Sequence, residues 1–146
     1  MPFELREHTA DVAVEATAPD LSTLFGDVAN GLAAVSCDEI PNPVPDTAEP
    51  FDVDVDAESR TALLFDYLDQ LIYERDVRSV LPVDNRVRVE RADDATAGKS
   101  EWTVSGTYRG IPLAELDARE VKAVTYSEMR VEETESGWIA YVVFDV

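Results

Sequence analysis

The sequence has very few of the side chains that form covalent cross-links or bind transition metals. Its 146 residues include one cysteine, Cys37, and one histidine, His8. A single cysteine excludes an intrachain disulfide and a multi-cysteine metal site, and a single histidine excludes a zinc site built from several imidazoles. A glycine-rich phosphate loop and a Gly-x-Ser-x-Gly motif are also missing, which removes two common signatures of nucleotide and ester hydrolysis.

Long apolar runs are absent as well. No stretch approaches the roughly 20 apolar residues that a membrane-spanning helix needs. Residues 1–7 include three charged side chains and no apolar signal-peptide centre. We therefore expect a cytoplasmic protein without a membrane partner.

Positive charge is scarce, and lysine is the scarcer of the two basic residues. There are 12 Lys+Arg against 31 Asp+Glu, which gives a formal net charge of −19; the only lysines are Lys99 and Lys122. Such a chain repels phosphates, so we expect no direct nucleic-acid binding. A salt-rich cytoplasm that screens surface repulsion explains this composition and indicates a halophilic source. A specific basic partner is the alternative explanation.

Apolar residues at helical spacing predict two helices. The first covers residues 21–36, with Asp20 as its N-cap, and the second covers residues 60–75, with Ser59 as its cap. Four prolines in residues 38–50 predict an exposed loop between them.

Alternating apolar and polar residues predict six or seven short strands around these helices. They lie within residues 3–17, 51–56, 86–90, 102–108, 121–131 and 138–146, with a break at 110–112. Hairpins dominate the second half of the chain. We therefore expect an α+β fold, a two-layer sandwich of a mixed, mostly antiparallel sheet with two helices on one face, and one domain over residues 1–146.

The aspartates in the first and last strands predict a cation site, provided that the two strands pair. If the two strands meet, Asp11, Asp145 and the α-carboxylate of Val146 converge. Three hard oxygen donors without nitrogen or sulfur suit Ca²⁺ or Mg²⁺. The alternative is coincidence, because an acidic protein has many aspartates near strand ends.

Three further residues have both a structural and a functional interpretation. Lys122 lies in an apolar extended run and is either a side chain at a sheet edge or a cation for phosphate or carboxylate. His8 is either a solvent-facing or capping side chain or a catalytic imidazole. Cys37, at a predicted helix end, is expected to be a small core residue.

Three stretches together resemble the archease family. They are residues 3–16, with the segment His-Thr-Ala-Asp, residues 63–73, and residues 120–126 followed by the C-terminal stretch 137–146. Their order and spacing span nearly the whole chain. The acidic balance is similar to that of haloarchaeal members.

The resemblance implies a function that composition does not. Archeases are accessory proteins of the RtcB-type tRNA-splicing ligase. They promote formation of the ligase–GMP intermediate from GTP, support multiple turnover and broaden nucleotide use, without being enzymes themselves. The competing hypotheses are a chaperone or solubility modulator for nucleic-acid-processing proteins, and a metal-dependent hydrolase, for which no nucleophile–base pair is visible.

The resemblance also implies site residues. It assigns a divalent cation, calcium in family members, to Asp11, Asp145 and Val146, with Mg²⁺ or Mn²⁺ as alternatives. It implicates Lys122 in activation of the ligase. His8 matches the family motif and would support the neighbouring metal ligands.

Overall fold

The computed structural model describes residues 11–92 and 101–146, which contain two α-helices and six β-strands. In chain order these are β1 (Asp11–Ala18), α1 (Leu21–Ser36), β2 (Glu49–Ala57), α2 (Arg60–Arg78), β3 (Val80–Arg91), β4 (Trp102–Pro112), β5 (Ala123–Thr134) and β6 (Gly137–Asp145). A short 3₁₀ turn, Leu113–Glu115, follows β4. The α+β fold class predicted from the sequence is confirmed. No helix within the described residues is long and apolar enough to cross a bilayer.

The strands form two three-stranded sheets, in the orders β1-β6-β5 and β2-β4-β3. Every strand pair in the described part of the chain is antiparallel, so the prediction of one mixed sheet is wrong in this respect. The split arises because β4 lies between β2 and β3 while β6 lies between β1 and β5. Alternation within a strand fixes which side chains share a face but does not identify the neighbouring strand.

One hydrophobic core joins the two sheets and both helices. Each helix packs against strands of both sheets. The largest fully buried side chains are Tyr67, Tyr108, Phe25 and Phe144, and the first two come from α2 and β4. Burying aromatic and aliphatic side chains from all these elements is the main source of stability in such a core.

The helix boundaries follow local sequence signals closely. Helix α1 begins after Asp20, whose Oδ1 accepts a hydrogen bond from the backbone N–H of Thr23 at 2.8 Å, as an N-cap requires. Helix α2 begins after Ser59 as predicted but continues past residue 75. It continues because residues 76–78 contain no helix-breaking signal. It ends where Ser79 adopts a left-handed conformation, with φ 57°.

The proline-containing loop is exposed at most of its positions, as predicted, but its apolar side chains are partly or fully buried. Ile40 and Val44 pack against a second, smaller cluster of buried residues, and Ala48 is 2% exposed. The guanidinium of Arg109 donates hydrogen bonds to the carbonyls of Pro45 and Ala48, at 3.2 and 3.1 Å. The loop is therefore held against β4, because its apolar side chains find burial that a proline count does not reveal.

Two other local predictions concern the end of β4 and the burial of Cys37. Strand β4 continues through Gly110 to Pro112, where a break was expected, because Ile111 is fully buried opposite Leu81. Cys37 is buried, at 4% exposure, in the smaller cluster. The prediction of a core cysteine is therefore confirmed.

Candidate functional site

The first and last described strands lie side by side and bring two aspartates together. Strands β1 and β6 are antiparallel, with Asp11 directly opposite Asp145. Residues opposite each other in such a pair have Cα atoms about 4.5–5.5 Å apart and side chains on the same face. The two carboxylates, separated by 134 positions in sequence, are thus near neighbours at one end of the sheet.

The alternation of side chains sets the face on which these aspartates lie. Phe144, next to Asp145, is fully buried in the core, and its partner on β1 is Val12. Val146 also packs against the core. Asp11 and Asp145 therefore lie on the outer face of the sheet, Asp11 exposed and Asp145 half-buried.

Lys122 lies beside Asp145 on the other side of β6. Its backbone N–H donates a hydrogen bond to the carbonyl of Asp145 at 2.8 Å, and the next residue, Ala123, is directly opposite Asp145. Lys122 is exposed, whereas Val121 and Val124 are 1% and 5% exposed. The buried valines anchor this segment, which holds the backbone of Lys122 beside Asp145.

The donor chemistry at this edge fits a hard divalent cation in part. Asp11 and Asp145 supply carboxylate oxygens, which Ca²⁺ and Mg²⁺ prefer. Within residues 11–92 and 101–146, no group of three or more His, Cys, Asp or Glu side chains could hold a metal. A complete site would therefore need the Val146 carboxylate, water or oxygens from a partner. His8 lies outside the described residues.

A second polar cluster, which sequence patterns did not predict, lies between α2 and β4. Glu74 is 8% exposed and accepts hydrogen bonds from Tyr108, from Gln70 at 2.9 Å and from Arg78 at 3.1 Å. Burial alone would raise the pKa of Glu74, but these three hydrogen bonds and the charge of Arg78 outweigh it and lower the pKa. The only sequence signal was the helical spacing of Gln70, Glu74 and Arg78.

Burial also affects the tyrosine in this cluster. Burial first, and then the hydrogen bond that the phenol donates to Glu74, raises the pKa of Tyr108 far above its ordinary value. The phenol therefore stays protonated and the carboxylate stays ionised at neutral pH. These contacts tie α2 to β4, so the cluster has a structural role.

The comparisons with known proteins agree with this fold. Residues 3–146 match the model of the Archease protein family (MTH1598/TM1083). The chain is 33% identical to "Protein archease" of Thermococcus gammatolerans, covering 99% of this chain and 98% of the relative, and 31% identical to "Protein archease" of Methanopyrus kandleri, covering both chains fully. The match in each case extends over the whole fold described above.

Two solved structures are similar to this one. The solution structure of Methanobacterium thermoautotrophicum protein 1598 has a TM-score of 0.75 at 27% identity and covers 99% of this chain and 96% of that one. The crystal structure of a Thermotoga maritima archease, described as a possible chaperone, has a TM-score of 0.65 at 20% identity and covers 100% and 98% of the two chains. The second likeness establishes the shared fold alone.

Proposed function

This chain belongs to the archease family, and we propose that it activates an RtcB-type tRNA-splicing ligase. The activity assigned is promotion of GTP-dependent ligase guanylylation and of multiple turnover during RNA ligation, without catalysis by this chain alone. The observation that carries the proposal is that Asp11 lies directly opposite Asp145 at one end of a sheet, where the backbone N–H of Lys122 donates a hydrogen bond to the carbonyl of Asp145. The protein is proposed to act in the cytoplasm and to bind the ligase rather than the RNA, because its net charge of −19 repels phosphates.

In this mechanism the carboxylates of Asp11, Asp145 and Val146 hold a divalent cation, for which we propose Ca²⁺, with Mg²⁺ and Mn²⁺ as alternatives. Such an ion offsets negative charge on phosphates when it is bound. Lys122 presents its ammonium group beside the same edge and contributes a second positive charge to a triphosphate. His8, three residues before Asp11, is proposed to support that ligand.

Exposure explains why these groups would act on a partner. Asp11 and Lys122 are both exposed, so these groups face solvent. Electrostatic stabilisation in active sites is strong because water is excluded from them. A site that faces solvent does not exclude water by itself. The groups become effective when the ligase covers them and contributes its own nucleotide and active-site residues.

A single-turnover assay of ligase–GMP formation tests this proposal. We expect Asp11→Asn to reduce the stimulated rate by at least about tenfold, the typical scale for losing a positioned electrostatic group. Glu15→Gln is the matched control, because Glu15 is exposed on the same face of β1, four residues away. It should stimulate as the unmodified protein does. Full stimulation by Asp11→Asn would overturn the assigned role of this edge.

A chaperone or solubility-modulating function is the second candidate. It is favoured by the exposed edge of β5, which pairs with β6 on one side in the described chain, and by the description of the Thermotoga maritima relative as a possible chaperone. A chaperone would protect an aggregating client equally well with or without Asp11 and Lys122. Light scattering of a heated client protein, with the unmodified chain and with Asp11→Asn, distinguishes the two functions.

A further inference from the structure

An exposed apolar surface lies along α2 and the start of β5. Tyr73, Val77 and Tyr126 are the large hydrophobic side chains in the described residues that are more than half exposed, at 60%, 62% and 53%. Tyr73 and Val77 are one helical turn apart on α2 and share a face. Tyr126, on β5, packs against Phe65 of α2, with ring centroids 5.3 Å apart and the rings tilted by 49°. We refer to Phe65, Tyr73, Val77 and Tyr126 as the α2–β5 surface.

The α2–β5 surface is adjacent to Lys122. The segment 119–126 is tied to α2 at both ends: the Arg75 guanidinium donates a hydrogen bond to the carbonyl of Arg119 at 3.0 Å, and Phe65 packs on Tyr126. Lys122 lies between these two ties. Four residues of extended chain separate it from Tyr126, a distance of about 13 Å. Lys122 is therefore near the Tyr126 end of this surface along the chain, whereas Tyr73 and Val77 lie on the side of α2 that faces away from Arg75.

Acidic side chains surround the apolar residues on α2. Asp66 and Asp69 are exposed, and the Asp76 side chain is 59% exposed although it accepts a hydrogen bond from Arg75. Burial, and then the charges of Asp69 and of Asp56 on β2, raises the pKa of Asp66.

This rim of negative charge indicates what kind of molecule covers the surface. A symmetric contact with a second copy of the chain would place one acidic rim against another, and like charges across an interface cost free energy. A basic rim on a partner would instead neutralise Asp66 and Asp69. Tyrosine is also one of the residue types, with tryptophan and arginine, that most often contribute large binding energies at protein interfaces.

We propose that the α2–β5 surface is the docking site for a partner protein that presents an apolar socket ringed by Lys and Arg. The proposal rests on the function proposed above, which makes that partner the ligase. Docking there would cover Lys122 and bring the Asp11–Asp145 edge to the ligase active site. Affinity and activation would then depend on different residues of this chain.

The test measures binding to the ligase and stimulation of guanylylation separately. We expect Tyr73→Ser/Val77→Ser to raise the Kd for the ligase at least about tenfold, as loss of central interface side chains does, and to reach full stimulation when the protein is added in excess. Asp11→Asn should bind with unchanged Kd and fail to stimulate. The control is Ile139→Ser, which removes a partly exposed apolar side chain from the outer face of β6 and should change neither quantity.

Charge provides an independent variant on the same surface. Asp69→Lys should weaken binding by about tenfold at low salt, with the difference shrinking as ionic strength rises, because screening acts on rim charges. Circular dichroism confirms that each variant is folded. This variant leaves the apolar side chains in place, so it separates charge from packing.

The results of these measurements distinguish a wrong docking site from a wrong proposed function. If the unmodified protein stimulates the ligase and Tyr73→Ser/Val77→Ser binds equally well, the docking site is wrong and the proposed function stands. If the unmodified protein neither binds nor stimulates the ligase, the proposed function fails and the docking proposal fails with it. A concentration-dependent dimer that is lost in Tyr73→Ser/Val77→Ser, measured by sedimentation, would assign the surface to a second copy and overturn the proposal.

Discussion

The carboxylate of Glu74 and the carboxylates of Asp11 and Asp145 differ in burial and in the number of hydrogen bonds they accept from the part of the chain that the structure describes. Glu74 is buried between α2 and β4 and accepts hydrogen bonds from three side chains of its own protein. Asp11 and Asp145 lie opposite each other at one end of a sheet, with Asp11 exposed and Asp145 half-buried. In the first region the fold satisfies the charge, and in the second the fold gathers charges together.

This difference separates a carboxylate with a structural role from the two carboxylates of the proposed cation site. A buried carboxylate that accepts several hydrogen bonds from its own protein contributes to the native state and is not accessible to a ligand. Two carboxylates placed side by side at the surface repel each other, and a bound cation relieves that repulsion. Sequence composition alone cannot make this distinction, because all 31 acidic residues count equally in the net charge.

The largest effect that tests this comparison is on stability. Glu74→Ala leaves the phenol of Tyr108 and the guanidinium of Arg78 without their acceptor. We expect a loss of about 3 kcal/mol in the free energy of unfolding, typical of breaking a buried charged network. Urea unfolding measures it, and Asp145→Asn is the control, with an expected change below about 1 kcal/mol. Equal effects of the two substitutions would contradict the comparison.

The pH dependence of stability follows from the same network. Because the native pKa of Glu74 is lowered relative to its ordinary value of 4.5, its contribution is present above that value and is lost as the pH falls through the lower native pKa. The unmodified protein should therefore lose more stability on acidification than Glu74→Ala does. Parallel stability curves for the two proteins would mean that Glu74 is not held ionised by its neighbours.

A smaller effect concerns the open edge. Calcium at ten times its Kd should stabilise the unmodified protein by about 1.4 kcal/mol, because a ligand that binds only the native state shifts the folding equilibrium. Asp145→Asn should lose this stabilisation, and Glu15→Gln should keep it. Thermal unfolding with and without Ca²⁺, Mg²⁺ or Mn²⁺ measures the effect, and no shift with any of the three ions would refute the cation site.

The sequence was informative wherever local signals decide structure. Helix α1 has the predicted bounds because Asp20 caps it and its apolar residues recur at helical spacing. The opposite faces of Phe144 and Asp145 followed from strand alternation. The meeting of Asp11 with Asp145 depends on which strands pair, and the sequence supported it only as a condition.

Local sequence patterns did not predict the features that depend on contacts between residues far apart in the chain. The division into two sheets and the burial of Glu74 against Tyr108 require knowing that α2 lies over β4. The packing of Ile40 and Val44 similarly depends on a cluster formed by residues far along the chain. The sequence also did not predict that Tyr73 and Val77 are exposed. Both are apolar and lie on a helix whose other apolar residues form the core.

The smallest effect has the opposite sign to that of Glu74 and concerns Asp66. Because burial and the charges of Asp69 and Asp56 raise its native pKa above the ordinary 3.8, ionisation of Asp66 costs the folded state stability. Asp66→Asn should therefore stabilise the protein at neutral pH, by no more than about 0.5 kcal/mol since the site is exposed and screened. The gain should shrink in high salt and disappear as the pH falls below 3.8. Urea unfolding at two salt concentrations measures it, and a destabilised Asp66→Asn would mean that this carboxylate, like Glu74, is satisfied by its own fold.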